Sequence, residues 1–125
     1  MIHVKSESEI DLMRESCKIV RDTLEFVAAR IKAGMSTKEV DELVERYIRS
    51  AGAYPSFLGY GGFPASACVS VNETVVHGIP DERTILKDGD IVTVDLCAYK
   101  NGYHGDACRT FCIGDVAPET RKLVK

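Results

Sequence analysis

Two aspartates, Asp95 and Asp106, stand in the part of the chain whose residue pattern fixes geometry most firmly. Asn101-Gly102 favours a two-residue type I′ turn, because both positions accept a positive φ, and the runs Asp90 to Lys100 and Tyr103 to Ile113 on either side are rich in β-formers. With that turn, Lys100 lies opposite Tyr103 and every cross-strand pair sums to 203, so Cys97 faces Asp106 and Asp95 faces Cys108. Asp95 and Cys97 share a face by the two-residue period. Both carboxylates therefore share it, as diagonal neighbours roughly 7–8 Å apart at Cα. That separation suits two carboxylates meeting over divalent cations. The run Ile91-Val92-Thr93-Val94-Asp95-Leu96 reads as buried on both faces, where a bare carboxylate is costly or takes up a proton, and a cation offsets that cost. Two other readings fit the same residues: an aspartate paired with Arg109 or Lys100, or one facing solvent on an open hairpin. A bulge at Gly105 would break the parity. His104 falls on the same face, so His104-x-Asp106 could form a small metal site, although a histidine beside a turn more often faces solvent or hydrogen-bonds.

The elements that must position this hairpin can be read upstream. Ile10, Met13, Cys17, Val20, Leu24, Val27 and Ile31 recur at spacings of three and four, which predicts one helix with a single apolar stripe, capped by Ser6-Glu7-Ser8-Glu9 and stopped at Gly34. A second helix is predicted from Ser36, with Glu39 completing a capping box, Val40, Leu43, Val44, Tyr47 and Ile48 on one face, and an end near Gly52. Tyr54 to Pro64 is a Gly-, Pro- and aromatic-rich loop. Short strands are predicted at Ala67 to Val71 and Thr74 to His77, separated by an Asn72-Glu73 turn. The tail from Val116 reads as a helix with Pro118 near its first turn. A domain seldom ends inside such a helix, so a truncation or a missing partner is expected.

The composition sets limits on function. The 125 residues carry a net charge of -3 with basic residues scattered among acids, which gives no footprint for nucleic acid. The N-terminus has no apolar stretch of signal-peptide length and no segment reaches membrane-spanning length, so a cytoplasmic location is expected. The five cysteines form no C-x-x-C pair, and reduced, mostly packed thiols are expected.

Three ordered blocks carry a resemblance: Cys68-Val69-Ser70-Val71-Asn72-Glu73-Thr74-Val75-Val76-His77-Gly78-Ile79-Pro80, then Leu86 to Asp95, then Gly102-Tyr103-His104-Gly105-Asp106. Together they resemble the type I methionine aminopeptidases, from the first helix to the last residue. The resemblance implies an α/β (α+β) fold that is half of a pita-bread architecture, two helices packed on a mainly antiparallel sheet, with 1–125 as the N-terminal half. It implies that Asp95 and Asp106 are metal ligands, that His77 is a catalytic residue contacting the scissile peptide group, and that Tyr60, Phe63 and Cys68 line the pocket for the methionine side chain. It implies two divalent ions (cobalt, manganese, iron or zinc), whose remaining ligands come from a second half. The implied reaction is removal of the initiator methionine from nascent chains. The chain alone is expected to be inactive and to self-associate or pair with the missing half. A proline-specific peptidase of the same fold, or a non-catalytic binding module, are the alternatives.

Overall fold

The Asn101-Gly102 turn forms as expected. In the computed structural model, which describes residues 1–125, Asn101 has φ 52° and Gly102 φ 86°, the positive pair that a type I′ turn requires. The turn joins β3 (Ile91–Lys100) to β4 (Tyr103–Cys112), within one residue of the predicted ends. Their register runs unbroken from Lys100 opposite Tyr103 to Ile91 opposite Cys112, with Gly105 opposite Ala98 and no bulge. On the other side of β3 lie β2 (Ala67–Val71), paired from Ala67 with Leu96 to Val71 with Val92, and the short β1 (Tyr54–Pro55), paired with Tyr99 and Ala98. All pairings are antiparallel.

Two helices cover one face of this sheet. α1 (Glu7–Ala28) and α2 (Thr37–Ser50) both start with the predicted capping boxes, Ser6 with Glu9 and Ser36 with Glu39. Val40, Val44 and Ile48 of α2 and Val20 and Val27 of α1 bury at most 1% exposed against Val92, Val94, Leu96 and Ala98, all 0% exposed. At about 25 cal/mol per Å² of apolar surface, this layer is the main source of stability. A third helix, α3 (Pro118–Val124), has no buried residue.

Four expectations need correction. α1 ends at Ala28 and not at Gly34; the chain then turns so that Met35, outside the helix, reaches the core. Ile10 and Cys17 are exposed and not part of the buried stripe, which runs instead through Ser16, Ile19, Val20, Thr23, Leu24 and Val27. The cause is close approach: a Cβ on Gly105 would lie 2.7 Å from the Cys17 amide nitrogen, so only a glycine lets α1 touch the hairpin, and the small Ser16 faces it, donating its hydroxyl to the Tyr103 carbonyl at 2.8 Å. Thr74 to His77 is not a strand. Asn72 takes φ 52°, its side chain bonds to Asp90 and to the Ile91 amide, and the chain arches off the sheet with Val75 and Val76 exposed. Finally, β3 is not buried on both faces: its burial alternates, and Ile91, Thr93 and Asp95 are only half-buried.

Candidate functional site

The face of the sheet turned away from the helices carries the acidic pair. Cys68, Asp95 and Cys108 form one cross-strand row, and Cys97 with Asp106 forms the next. One oxygen of Asp95, Oδ1, is fully buried and has no hydrogen-bond partner. Burial first, then the hydrogen bond and negative charge of the neighbouring Asp106 carboxyl, push the Asp95 carboxyl up to about 7. Such a group either holds a proton or accepts a cation, because an orphaned buried carboxylate oxygen is costly. A divalent ion fits this donor set: two carboxylates on one face, one of them with an oxygen that nothing else satisfies. No group of three or more His, Cys, Asp or Glu side chains is arranged to hold a metal ion, so any ion bound here needs further ligands from water or from another polypeptide.

Around the acids lies a cleft of about 520 Å³, lined by Phe57, Tyr60, Phe63, Cys68, His77, Ile79, Asp95 and Asp106. All six residues to which the resemblance assigns a role, Tyr60, Phe63, Cys68, His77, Asp95 and Asp106, are among them. The aromatic wall is a local product of the Gly-rich loop. Gly59 has φ 85° and its amide donates to the Phe63 carbonyl, while Phe63 donates to Tyr60, so the segment folds back on itself. The rings of Phe57 and Phe63 then meet edge to face at 6.4 Å. Cys68 forms the floor, 6% exposed, and its thiol is pushed up to about 11 by burial and by the charges of Asp95, Asp106 and Asp41. It stays protonated and behaves as a small apolar contact, not a nucleophile.

Asp41 of α2 fixes the strand that carries Cys68. Its buried Oδ1 accepts the amides of Ser66 and Ala67, both at 2.8 Å, and burial raises its carboxyl despite those two bonds. Sequence reasoning missed it; the signal was an acid set beside Val40 and Val44 on the apolar side of a helix. Ile79 was also missed, and Phe57 was not assigned to the pocket. His77 sits on the rim, exposed, with φ 59°. His104 shares the face of Asp106, as the strand parity predicts, but does not line the cleft. Its Nδ1 lies 2.9 Å from Ser56 Oγ and 3.8 Å from Cys97 Sγ, and its ring stacks near Tyr99, so hydrogen bonding accounts for it.

The cleft thus sets two carboxylates beside an aromatic and sulfur wall. Comparison with known proteins matches the sequence to one family: the model of metallopeptidase family M24 matches residues 11–125. The chain is 50% identical over 125 residues to a methionine aminopeptidase of Clostridium acetobutylicum, covering all of this chain and 50% of that protein. The crystal structure of methionine aminopeptidase from Rickettsia prowazekii superposes with a TM-score of 0.96 at 37% identity, over 99% of this chain and 50% of that one. An X-Pro aminopeptidase from Thermotoga maritima superposes with a TM-score of 0.78 at 26% identity, over 95% of this chain and 32% of that one. The chain spans about half the length of the curated bacterial relatives it matches.

Proposed function

The chain belongs to metallopeptidase family M24, and from that premise we propose that it supplies the N-terminal half of a methionine aminopeptidase domain, whose complete form removes the initiator methionine from nascent chains in the cytoplasm. The observation that carries the reading is the polarity of the cleft. Asp95 and Asp106 supply two carboxylates, and the rings of Phe57, Tyr60 and Phe63 with the neutral thiol of Cys68, which pairs across the strands with Asp95, supply an apolar wall beside them. A methionine at a peptide N-terminus has the matching shape, an amine and a scissile carbonyl at one end and a flexible thioether at the other.

Asp95 and Asp106 are the residues that would hold the divalent ions. Cobalt, manganese, iron and zinc all suit a site dominated by carboxylates, and when bound they supply the Lewis acidity that peptide hydrolysis requires. The chain's own residues do the rest of the work assigned to this half. Tyr60, Phe63 and the protonated thiol of Cys68 receive the methionine side chain and exclude water around it. His77, on the rim of the cleft, hydrogen-bonds the scissile peptide group through a ring nitrogen and orients it. Two carboxylates leave a metal coordination sphere open, so the isolated chain is inactive, and it acts by associating with a second half or with a copy of itself. No nucleic acid or membrane contact enters the reaction; no helix is long and apolar enough to cross a membrane.

A fusion tests this. Residues 1–125 joined to the second half of the Clostridium acetobutylicum relative should release methionine from Met-Gly peptides. Asp95→Asn, Asp106→Asn and His77→Ala in the fusion should each cut that rate at least a hundredfold, on the order of the loss for a catalytic group. A folded fusion that cleaves Xaa-Pro but not Met-Gly peptides would transfer the assignment to the proline-specific relatives. One that binds no metal and cleaves neither would leave a binding module.

A further inference from the structure

Between β2 and β3 the chain leaves the sheet at Asn72 and touches it again at Gly78. Gly78 lies so close to β2 that any Cβ there would collide with the Val69 carbonyl oxygen. Two hydrogen bonds hold it: the Val69 amide donates to the Gly78 carbonyl at 2.9 Å, and the Gly78 amide donates to Ser70 Oγ at 3.1 Å. Ser70 is 5% exposed and pairs with Thr93, so by the two-residue period its hydroxyl stands on the same face as Cys68 and Asp95. Immediately before the pinned amide comes His77, whose φ of 59° is sparsely populated by any residue with a Cβ. The imidazole is exposed and makes no hydrogen bond of its own, so nothing in its side chain maintains that backbone.

We propose that Ser70 is a positioning residue for His77: its hydroxyl, by capturing the Gly78 amide, holds the left-handed backbone that keeps the imidazole on the rim of the cleft. The functional meaning rests on the role assigned to His77 above; the geometric claim does not. Ser70 itself does not line the cleft. Removing its hydroxyl leaves the Gly78 amide without a partner and only one bond anchoring the Gly78 end of the arch, and His77 is then free to relax to negative φ. A threonine keeps the hydroxyl and the anchor.

The test is solution NMR of the 125-residue chain. In the unsubstituted chain His77 should give the strong intraresidue amide–Hα cross-peak of a positive φ, and the Gly78 amide should exchange slowly. Ser70→Ala should abolish that cross-peak and speed Gly78 exchange about five- to tenfold relative to the amides of β2 and β3. Ser70→Thr should restore both. A hydroxyl that merely packs would lower the thermal midpoint and leave the His77 cross-peak in place, and that result overturns the proposal. Should Ser70→Ala fail to fold, rapid exchange of Gly78 in the unsubstituted chain overturns it equally, and slow exchange retained in Ser70→Thr supports it. None of these signals depends on peptide hydrolysis, so a fusion in which His77→Ala leaves activity intact would remove the catalytic reading while the backbone claim stands or falls by itself.

Discussion

Two faces of β3 can be set side by side. Toward the helices point Val92, Val94, Leu96 and Ala98, each fully buried in the apolar layer; away from them point Thr93, Asp95 and Cys97, a row whose central carboxyl has an oxygen nothing satisfies. The same strand, with the same backbone hydrogen bonds on both edges, therefore holds the groups that stabilise the chain and the groups that oppose its stability. The difference shows where function is paid for. Burial on the covered face offsets an acidic pair that no metal-free fold would choose.

The largest test of that contrast is a matched truncation. Leu96→Ala should cost about 2–5 kcal/mol in urea unfolding, because the cavity lies in the middle of the packed layer. Thr93→Ala, three residues away on the opposite face, removes a half-buried methyl and a hydroxyl bonded to Thr110 at 2.8 Å and should cost about 1 kcal/mol. Equal losses at the two positions would erase the distinction between the faces.

Next comes a change of sign. The Asp95 carboxyl, pushed up to about 7 by burial and by Asp106, binds its proton more tightly in the folded chain than unfolded. Its contribution to stability is therefore full below the ordinary carboxylate range, near pH 4, and is lost as pH rises through about 7. Asp95→Asn should flatten that decline and stabilise the metal-free chain by roughly 1–2 kcal/mol at pH 8, a modest gain because the residue is only half-buried and water screens it. Chemical denaturation at pH 4 and pH 8 measures it. A mutant less stable than the parent at pH 8 would mean that the carboxylate has partners in solution that the structure does not show.

Divalent ions sharpen the same comparison from the other side. Manganese or zinc at about ten times its dissociation constant should stabilise the unsubstituted chain by roughly 1.4 kcal/mol, and should do nothing measurable for Asp95→Asn or Asp106→Asn. Thermal shifts across an ion titration decide it. An equal shift in all three chains would place the ion elsewhere.

What the sequence revealed follows this division. The hairpin, its register and the shared face of Asp95 and Asp106 were legible because Asn101-Gly102 has one favoured turn and strand parity does the rest. The helix caps were legible for the same local reason. The second half of the α1 stripe, Val20, Leu24 and Val27, was legible too; its first half was not, because Ser16 and Cys17 exchange places at a close approach allowed by Gly105, almost ninety residues away. The open face was misread because Ile91 to Leu96 is apolar enough for burial on both sides, and residue type alone does not say that one side faces a cleft. Asp41 stayed hidden because its partners, the amides of Ser66 and Ala67, are backbone groups that no pattern advertises.

The smallest expected effect concerns the arch over the open face. Val76 is 63% exposed and Val75 83% exposed, so their methyls displace little water in the folded chain. Val76→Ser should change stability by no more than about 0.5 kcal/mol, against the several lost at Leu96 for a side chain of similar chemistry. The arch is held instead by backbone and polar anchors, Asn72 to Ile91 at one end and Gly78 to Ser70 at the other. A loss above 1 kcal/mol in Val76→Ser would require these valines to pack against something in solution. The open face would then be partly covered, and the contrast between the two sides of β3 would be one of degree.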